Sequence, residues 1–499
     1  MARLLILLLL ILSFSSCEGE RDYLSVALSS EMTTMDLQVS TSLSGRLIAL
    51  GNVYEKLFVL DGDGNVRCEL AESYELSEDS RRLTITIRDG VPFHNGKIMS
   101  ANDVALSMNR YLDFYGASDG YVQDNRFEVV DERTVAIEGV ASLVLFPYLL
   151  AASPQSAVIV PSETIEDGVL SEGIGTGPYK VSKWQSGEYI ELERFEDYKA
   201  YSSLNNGIWG NKSANIEKIR YYFVPDAVTR RLGLESGLYD FINDVMSQDA
   251  SAFEENPEID LISSGESGMI ALVFNKSRGL CVDEEFRRAL SYLMDSENIM
   301  RACYGSRGYS THADYMEAEQ SGWISGKENP LKKIDLEKAE AILSSSYDGS
   351  VLRILTSNLS NMDKLALAVS QDLERAGIKT EIIAVDWASM LELRKDSSKW
   401  DIFISAFSQV PLPNLKSFLN PDFPGWIGEE ELELVSKLNG AEDIDEAMRI
   451  WRDVEPVLWE AAPVYVPGHY MTEYASTTRL KGVIIQNGFF FWNAELESR

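Results

Sequence analysis

The sequence is poor in the two residue types that most often hold zinc in proteins. It has three histidines, His94, His312 and His469, and four cysteines. These residues form neither an HExxH pattern nor a CxxC pair, and the histidines lie far apart in the chain. His94 belongs to a turn, where a structural role is expected. The sequence therefore predicts no metal site.

Signatures of catalysis are also missing. No GxSxG elbow and no SxxK set occurs in a matching context. The glycine-rich stretch 173–177 lacks the Lys-Ser/Thr pair of a phosphate-binding loop, so we expect a turn before Pro178. Residues 61–65 begin like a calcium loop but have no glycine at loop position 6, which favours a hairpin turn. The sequence predicts neither an enzyme nor a bound cofactor.

Basic residues are scarce relative to acidic ones. Lys and Arg number 45 against 78 Asp and Glu, which gives a formal net charge of −33 at pH 7. Such a surface repels nucleic acid and anionic lipid, so neither is an expected partner. The acidic balance fits either a cationic or neutral ligand or simply a well-solvated surface.

No apolar run reaches the roughly 20 residues that a membrane-spanning helix needs. A basic residue, an apolar run over 4–12 and small residues before Cys17 are typical of an export signal. The segment resembles the bacterial lipobox, whose cysteine carries lipid, although Phe14 stands where leucine is usual. We predict a signal peptide over 1–16, lipidation of Cys17 and a tether over 17–22. An ordinary secretory signal that is cut nearby is the alternative.

A length of 499 residues exceeds one ordinary core and predicts two or three domains. Periodicity is clearest after residue 350, where strand-like segments at 351–356, 378–385 and 401–407 alternate with two helical faces. This β-α-β-α-β order predicts a largely parallel sheet with helices on its faces. Ligands of such sheets lie beyond the carboxyl ends of the strands, which indicates residues 405–409.

Four segments, in order along the chain, carry a resemblance to one family. They resemble the extracytoplasmic solute-binding proteins of family 5, which serve oligopeptide, dipeptide and nickel ABC importers. Each segment alone is weak evidence, but the four together are specific. The segments are residues 69–104 with G-V-P-F-H-N-G at 90–96 and A-N-D-V at 101–104, residues 175–184 with G-T-G-P-Y and Trp184, residues 225–240, and residues 274–295.

The resemblance implies an α/β, two-lobed periplasmic-binding-protein fold of type II. Within that type, the chain would belong to the cluster of large binding proteins, which have an extra small domain in lobe one and a hinged cleft. Crossings near 262–270 and 466–472 would form the hinge. Lobe one would comprise 22–55, 172–262 and 468–499, the extra domain 56–171, and lobe two 263–467.

One site of the family is altered in this chain. Peptide binders tend to carry G-W-x-x-D near the third strand of lobe two, and its aspartate pairs with the amino terminus of the peptide. Here Phe407 replaces the tryptophan, and no acid follows until Asp422. Either another acid serves, or the ligand is not a zwitterionic peptide.

Aromatic, methionine and amide side chains suit a mostly apolar pocket with a few polar contacts. For each candidate a core or surface role is the alternative, and the same holds for His469 near the second crossing. In an exported chain Cys281 and Cys303 could form a disulfide. The predicted cleft residues are Met32, Thr33, Met35, Met269, Asn275, Ser405, Phe407, Gln409 and Tyr470.

These expectations favour a monomeric substrate-binding lipoprotein of an ABC importer. It would capture a peptide-like or other small solute, such as a nickel chelate or a sugar, and deliver it to permease subunits served by a cytoplasmic ATPase. It would stand at the periplasmic or extracellular face, held to the membrane by lipid alone. The alternative is a surface-exposed or sensory lipoprotein on the same fold that binds a host factor or receptor without transport.

Overall fold

The computed structural model describes residues 22–40, 42–115, 119–152, 155–166, 168–170, 173–311, 323–419, 423 and 429–497. The predicted signal peptide, Cys17, His312 and Asp422 lie outside these residues. Within the described ranges, no helix has both the length and the apolar character needed to cross a membrane.

Strands and helices alternate through most of the chain. The strands are β1 (Leu24–Leu28), β2 (Phe58–Leu60), β3 (Val66–Cys68), β4 (Ala71–Leu76), β5 (Arg82–Ile87), β6 (Glu128–Asp131), β7 (Thr134–Glu138), β8 (Ile165–Glu166), β9 (Val169–Leu170), β10 (Tyr179–Gln185), β11 (Tyr189–Arg194), β12 (Asn205–Asn206), β13 (Trp209–Gly210), β14 (Lys218–Phe223), β15 (Phe241–Ile242), β16 (Ile259–Phe274), β17 (Tyr309–Ser310), β18 (Leu352–Ser357), β19 (Thr380–Val385), β20 (Ile402–Ser408), β21 (Val464–Thr477), β22 (Leu480–Lys481), β23 (Ile484–Ile485), β24 (Phe489–Phe490) and β25 (Glu495–Leu496). The helices are α1 (Leu43–Ala49), α2 (Ala101–Phe114), α3 (Asp119–Val122), α4 (Phe146–Ala151), α5 (Ala227–Glu235), α6 (Ser247–Glu254), α7 (Glu284–Leu293), α8 (Ser296–Tyr304), α9 (Leu336–Ser346), α10 (Met362–Arg375), α11 (Trp387–Lys395), α12 (Glu429–Leu438) and α13 (Ile444–Ala461).

One 11-stranded sheet connects both halves of the molecule. Its order is β10-β11-β14-β1-β15-β21-β16-β20-β18-β19, and β17 adds to β21. One part holds β1 parallel to β14 and β15, and the other holds β18 parallel to β19 and β20. The antiparallel pair β16–β21 joins them. The predicted β-α-β-α-β unit with a parallel sheet is confirmed.

A smaller sheet, β4-β5-β7-β6, lies in the predicted extra domain. Strand β5 alternates half-buried and buried residues, as its alternating sequence predicts. Helix α2 packs beside it and begins at Ser100, whose side chain forms a capping box with Asp103. Arg110 of α2 forms a buried ion pair with Asp36, in the loop after β1. This pair fastens the extra domain to lobe one.

His94 forms a second connection between the extra domain and lobe one. Its Nδ1 accepts a hydrogen bond from the backbone N–H of Gly175 at 3.3 Å, and its Nε2 is 2.9 Å from the carbonyl oxygen of Gly177. A Cβ at Gly175 would lie 2.0 Å from the carbonyl oxygen of Val53, so only glycine fits there. The F-H-N-G and G-T-G-P-Y motifs thus bind each other, and the structural role expected for His94 fits these contacts.

A buried ionic cluster seals the same junction. The Nζ of Lys212 donates to Glu55 at 3.0 Å and to Glu69 at 2.5 Å, and all three side chains are at most 2% exposed. Burial alone would lower the pKa of Lys212, but the two carboxylates together raise it well above its ordinary value. The ammonium therefore stays charged between them. Removing it would leave two carboxylates buried without compensation.

We predict that Lys212→Met lowers the free energy of unfolding by about 3–5 kcal/mol, because one partner of a buried ionic cluster is lost. Urea unfolding followed by circular dichroism measures this change. Lys333→Met is the control, since Lys333 is 72% exposed and pairs only with exposed Glu328. Equal effects of the two substitutions would contradict the assignment.

Stability should also depend on pH through His94. Burial lowers the pKa of His94 to about 4, below the ordinary value near 6.5. The stability contributed by neutral His94 is complete above about pH 6.5 and is lost as pH falls toward 4. The difference in unfolding free energy between wild type and His94→Gln should therefore shrink from pH 7 to pH 5. A difference that stays constant over that range would refute this role.

Candidate functional site

The crossing strands β16 and β21 meet in an irregular ladder. Their register shifts between Ser263 and Glu266, between Glu266 and Gly268, and between Ile270 and Leu272. Gly265 has a φ of +69°, which an L side chain rarely adopts. Bulges of this kind bend a strand and increase its twist without ending the pairing. This stretch is where the two halves of the sheet can change their angle.

Three predicted cleft residues lie on neighbouring strands beside these bulges, but on two faces of the sheet. Met269 and Phe407 pack in one apolar cluster, whereas Tyr470 packs against another on the opposite face. Met269 of β16 pairs with Phe407 of β20, and the adjacent Gly268 pairs with Tyr470 of β21. The ring of Tyr470 stacks on Tyr304 with centroids 6.1 Å apart. A Cβ at Gly268 would lie 2.6 Å from the Tyr470 hydroxyl and 2.2 Å from the Phe407 carbonyl oxygen. The missing side chain of Gly268 makes room for the tyrosine.

The carboxyl end of β20 supplies the lobe-two side of the site. Phe407 is half-buried and packs edge-on against Phe418, with centroids 4.9 Å apart. The backbone N–H of Gln409 donates to the carbonyl oxygen of Ser267 at 2.9 Å, which holds the end of β20 to β16. Ser405 is 5% exposed and lies two residues before Phe407, farther from the end of β20. Phe407 and Gln409 are therefore the better placed of these three candidates.

The lobe-one candidates separate into core and surface residues. Met32 is fully buried in the lobe-one core, and its Cγ lies 3.6 Å from the position of a Cβ on Gly45. Met35 is half-buried and packs against Gly173. Thr33 is exposed. Met32 is thus a packing residue, whereas the side chains of Thr33 and Met35 remain at least partly accessible at the surface.

Asn275 does not join this group. It follows the far end of β16, where Phe274 pairs with Ile402, whereas Phe407 pairs with Met269. Asn275 is fully buried, and its side-chain amide donates to the carbonyl oxygens of Ser397 and Trp400. The sequence predicts Asn275 beside β16, but the residue lies at the end of that strand away from Met269. Its side chain stabilises a turn.

The candidate disulfide is not formed. Cys281 and Cys303 are both free thiols in the lobe-two core. The Sγ of Cys303 donates to the carbonyl oxygen of Ser360 at 3.2 Å. Burial raises the pKa of Cys303 to about 12 and that of Cys281 further, so both thiols stay protonated. The two cysteines serve as small apolar core residues.

Side chains that the sequence did not single out complete the site. Arg46 of α1 lies near Tyr470 and Tyr474, which face the same side of β21. Asp244 follows β15 in a left-handed conformation, with a φ of +57°, and lies near Tyr304 and Tyr474. Apart from the left-handed conformation of Asp244, this grouping depends on contacts between distant parts of the chain. The periodicity of the sequence therefore could not predict it.

The tyrosines of the site are neutral hydroxyl groups at physiological pH. Burial raises the pKa of Tyr474 to about 12, and burial likewise raises the pKa values of Tyr470 and Tyr304. Burial also lowers the pKa of Arg46 from its ordinary value, yet a guanidinium stays charged at neutral pH. The site therefore combines one cation with several neutral hydrogen-bond donors.

A contact surface, which we call the seam, joins the extra domain to lobe two. Asn414 Nδ2 donates to the hydroxyl of Tyr121 at 3.1 Å, and Ser142 Oγ donates to the carbonyl oxygen of Ala441 at 2.9 Å. One apolar cluster contains Tyr121 and Phe146 from one side and Leu412 and Phe418 from the other. The seam therefore joins the two lobes through an apolar cluster that also includes Met269 and Val466 of the crossing strands.

A pocket of about 370 Å³ lies elsewhere, between the extra domain and lobe one. Glu55 and Thr176 line it, but the Glu55 carboxylate already accepts hydrogen bonds from Thr176, Tyr198 and Lys212. Arg88 stacks over Tyr201 in its wall. The predicted cleft residues do not line this pocket, so it is not the candidate site.

Metal-binding residues do not cluster in the described chain. Within the described ranges, no group of three His, Cys, Asp or Glu side chains is arranged to hold an ion. His469 is fully buried in β21, where it pairs with Met269 of β16 and Ser310 of β17. The chemistry available at the site is ionic and hydrogen-bonding recognition against an aromatic wall.

Comparison with protein families gives one match. The model described as "Bacterial extracellular solute-binding proteins, family 5 Middle" matches residues 65–427. A probable peptide ABC transporter periplasmic-binding protein of Sinorhizobium fredii is 23% identical, over 89% of this chain and 88% of its own. A glutathione-binding protein of Salmonella typhi is 26% identical, over 72% and 69%.

Solved structures share the whole architecture. A binding protein of A. tumefaciens R10 in complex with agropinic acid aligns with a TM-score of 0.80 and 23% identity, over 96% of this chain and 99% of its own. A dipeptide-binding protein of Pseudoalteromonas sp. in complex with Met-Leu aligns with a TM-score of 0.79 and 19% identity, over 95% and 100%. These likenesses confirm the predicted two-lobed fold.

We predict that Gly268→Ala damages the site, because its Cβ must displace either Tyr470 or the β20 backbone. Overpacking of this kind costs about 1–3 kcal/mol, so the melting temperature should fall measurably. Differential scanning fluorimetry measures it. Gly440→Ala is the control, since the nearest atom to its Cβ would be at an ordinary 3.5 Å. A Gly268→Ala protein as stable as the control would show that Tyr470 is free to move.

Proposed function

Because the chain belongs to family 5 of the bacterial extracellular solute-binding proteins, we propose that it captures a peptide-like solute between its lobes and delivers it to the permease of an ABC importer. The observation that carries the proposal is the combination of a bulged crossing ladder with a seam that joins the extra domain to lobe two beside the site. Such a molecule opens and closes as two bodies, and the ligand contributes its differential affinity for the closed form.

The proposed lobes follow the sheet. Lobe one comprises 22–55, 172–262 and 468–499 with the extra domain 56–171, and lobe two comprises 263–467. The parallel part around β1 lies in the first, the parallel part around β18 lies in the second, and β16 and β21 belong to both. The ion pair Arg110–Asp36 and the cluster around Lys212 support treating the extra domain and lobe one as one moving body.

A peptide-like ligand is the solute class we favour. The relatives include a probable peptide transporter component and a glutathione-binding protein, and one structural neighbour holds the dipeptide Met-Leu. Phe407 in place of the family tryptophan, and the absence of an acid before Asp422, argue for a ligand held differently at its amino end. We propose Phe407, Gln409, Tyr470, Thr33 and Met35 as lining residues, with the buried Met269 and Ser405 behind them.

We further propose that the protein is an exported lipoprotein. Cys17 would carry the lipid, and the folded body would stand as a monomer at the periplasmic or extracellular face of the membrane. There it would meet the permease, whose ATPase is cytoplasmic. The observation in support is the lipobox-like segment that ends at Cys17. The protein would bind and release its solute without chemical change.

Native mass spectrometry of the full chain after export and gentle purification tests solute capture. We expect a discrete added mass that disappears on denaturation, or binding from a peptide pool at millimolar concentration. A nickel-histidine chelate or a sugar as the retained mass would replace the peptide. A protein that stays bare against peptide, sugar and chelate pools would contradict transport and favour a host-binding or sensory lipoprotein.

Closure across the seam predicts that Tyr121→Phe weakens ligand binding about 3- to 10-fold, because a hydrogen bond made only in the closed form is lost. Isothermal titration with the captured solute measures this. Tyr347→Phe is the matched control, since its hydroxyl bonds only within lobe two, to the Ser350 carbonyl oxygen and the Lys379 backbone N–H. Equal affinities of the two variants would argue against closure at the seam.

Lipidation predicts that Cys17→Ser abolishes incorporation of a labelled fatty acid and releases the protein from the membrane fraction. Metabolic labelling followed by immunoprecipitation reads out the lipid directly. Cys68→Ser, which changes a half-buried thiol in β3, is the control and should keep the label. An unlabelled wild-type protein would identify an ordinary secretory signal instead.

A further inference from the structure

Arg46 is a partly buried cation without a partner. It lies on α1, which begins at Ser42 just after the loop that follows β1. Its Nε is buried and has no hydrogen-bond partner, and no ion pair or side-chain hydrogen bond involves its guanidinium in the described chain. A buried charge that is not paired costs several kcal/mol, so an unpaired guanidinium needs a physical explanation.

Four fully buried cations of the described chain are satisfied internally. Lys212 lies between two carboxylates. Arg230 donates to four backbone carbonyl oxygens, and Arg287 does the same in lobe two. Lys56 donates to the carbonyl oxygens at the end of α4. Arg46 therefore differs from these four cations, and in the described chain its buried, unpaired Nε lacks the aromatic rings on which Arg394, the other such arginine, stacks.

The surroundings of Arg46 favour a negative ligand. Its neighbours Tyr470 and Tyr474 are neutral hydroxyl groups that can donate hydrogen bonds, and Lys56 adds a second positive charge nearby. Asp244 lies near Tyr474 but is 57% exposed and has Arg230 as its ion-pair partner at 3.8 Å. Two positive charges thus lie near each other here although the whole chain carries −33.

Geometry places Arg46 where a ligand in the cleft would reach it. Tyr470 belongs to the crossing strand β21, and its hydroxyl is close to Gly268 and to the carbonyl oxygen of Phe407. Arg46 approaches the same tyrosine from lobe one. A ligand between the lobes would thus meet the guanidinium on one side and the end of β20 on the other.

We propose that Arg46 binds a carboxylate of the transported solute, with the hydroxyls of Tyr470 and Tyr474 as additional donors. A guanidinium binds a carboxylate through two parallel N–H···O bonds, which gives both affinity and orientation. The inference rests on the proposed function and narrows it to solutes that carry a free carboxylate. Neutral sugars and solutes whose acid group is blocked are then poor ligands.

The test compares three forms of the full chain: wild type, Arg46→Gln and Arg394→Gln. Arg394 is the matched control, because it is also partly buried with an unpaired Nε, yet it stacks on Phe403 and Phe423 within lobe two, at 5.6 and 4.9 Å. The probes are a mixed dipeptide pool with free carboxyl ends, the same pool with amidated ends, and a pool of neutral mono- and disaccharides. Native mass spectrometry and isothermal titration measure binding.

We expect the wild type and Arg394→Gln to bind free-acid dipeptides at least about 30-fold more tightly than the amides. Arg46→Gln should lose about that factor for the acids and bind the amides as the wild type does. If Arg46→Gln does not fold, Arg46→Lys keeps the charge and should retain part of the preference for the acids.

Three results would overturn the inference while leaving solute capture intact. They are equal wild-type binding of acids and amides, binding of the saccharide pool alone, and unchanged acid binding by Arg46→Gln. A wild-type protein that binds none of the pools would overturn solute capture itself, and the inference with it. The failure of the inference and the failure of the proposed function therefore give different results.

Discussion

The antiparallel ladder between β16 and β21 holds the two parallel parts of the large sheet together, and the other contacts are arranged around it. Both strands are long, with 16 and 14 residues, and both serve the two halves at once. Bulges near Gly268 leave the pairing intact but allow its twist to change. The candidate residues lie beside these bulges, with Met269 and Phe407 on one face of the sheet and Tyr470 on the other.

The extra domain contacts both lobes, but it is attached differently to each. His94, Arg110 and the cluster around Lys212 attach it to lobe one through buried polar contacts. Its far side, at Tyr121 and Ser142, reaches lobe two. A rigid attachment on one side and a contact surface on the other make this domain an extension of lobe one toward its partner.

Local patterns predicted the regular elements well. The helix cap at Ser100, the strand at Arg82–Ile87 and the alternating order after residue 350 all depend on neighbours in sequence. The site was predicted only in part. The prediction for Asn275 was wrong, because the composition of a strand does not show which of its two ends faces the ligand.

The residues that the sequence could not reveal owe their roles to long-range contacts. Arg46 and Tyr474 are more than 400 positions apart and meet only through the order of strands in the sheet. Met32 looked like a cleft residue because its loop follows β1, yet Gly45 gives it a place in the core. Cys281 and Cys303 share one core, but the fold gives each thiol its own site.

The burial and protonation of the native thiols make it practical to measure lobe motion with dyes attached to new cysteines. Beyond Cys17 the chain has three cysteines, of which Cys281 and Cys303 are buried with raised pKa values and Cys68 is partly buried. Maleimide dyes react with exposed thiolates, so these native cysteines compete little for a label. Two new surface cysteines, one on each side of the seam, can therefore carry a donor and an acceptor dye and report the distance between the lobes in single molecules.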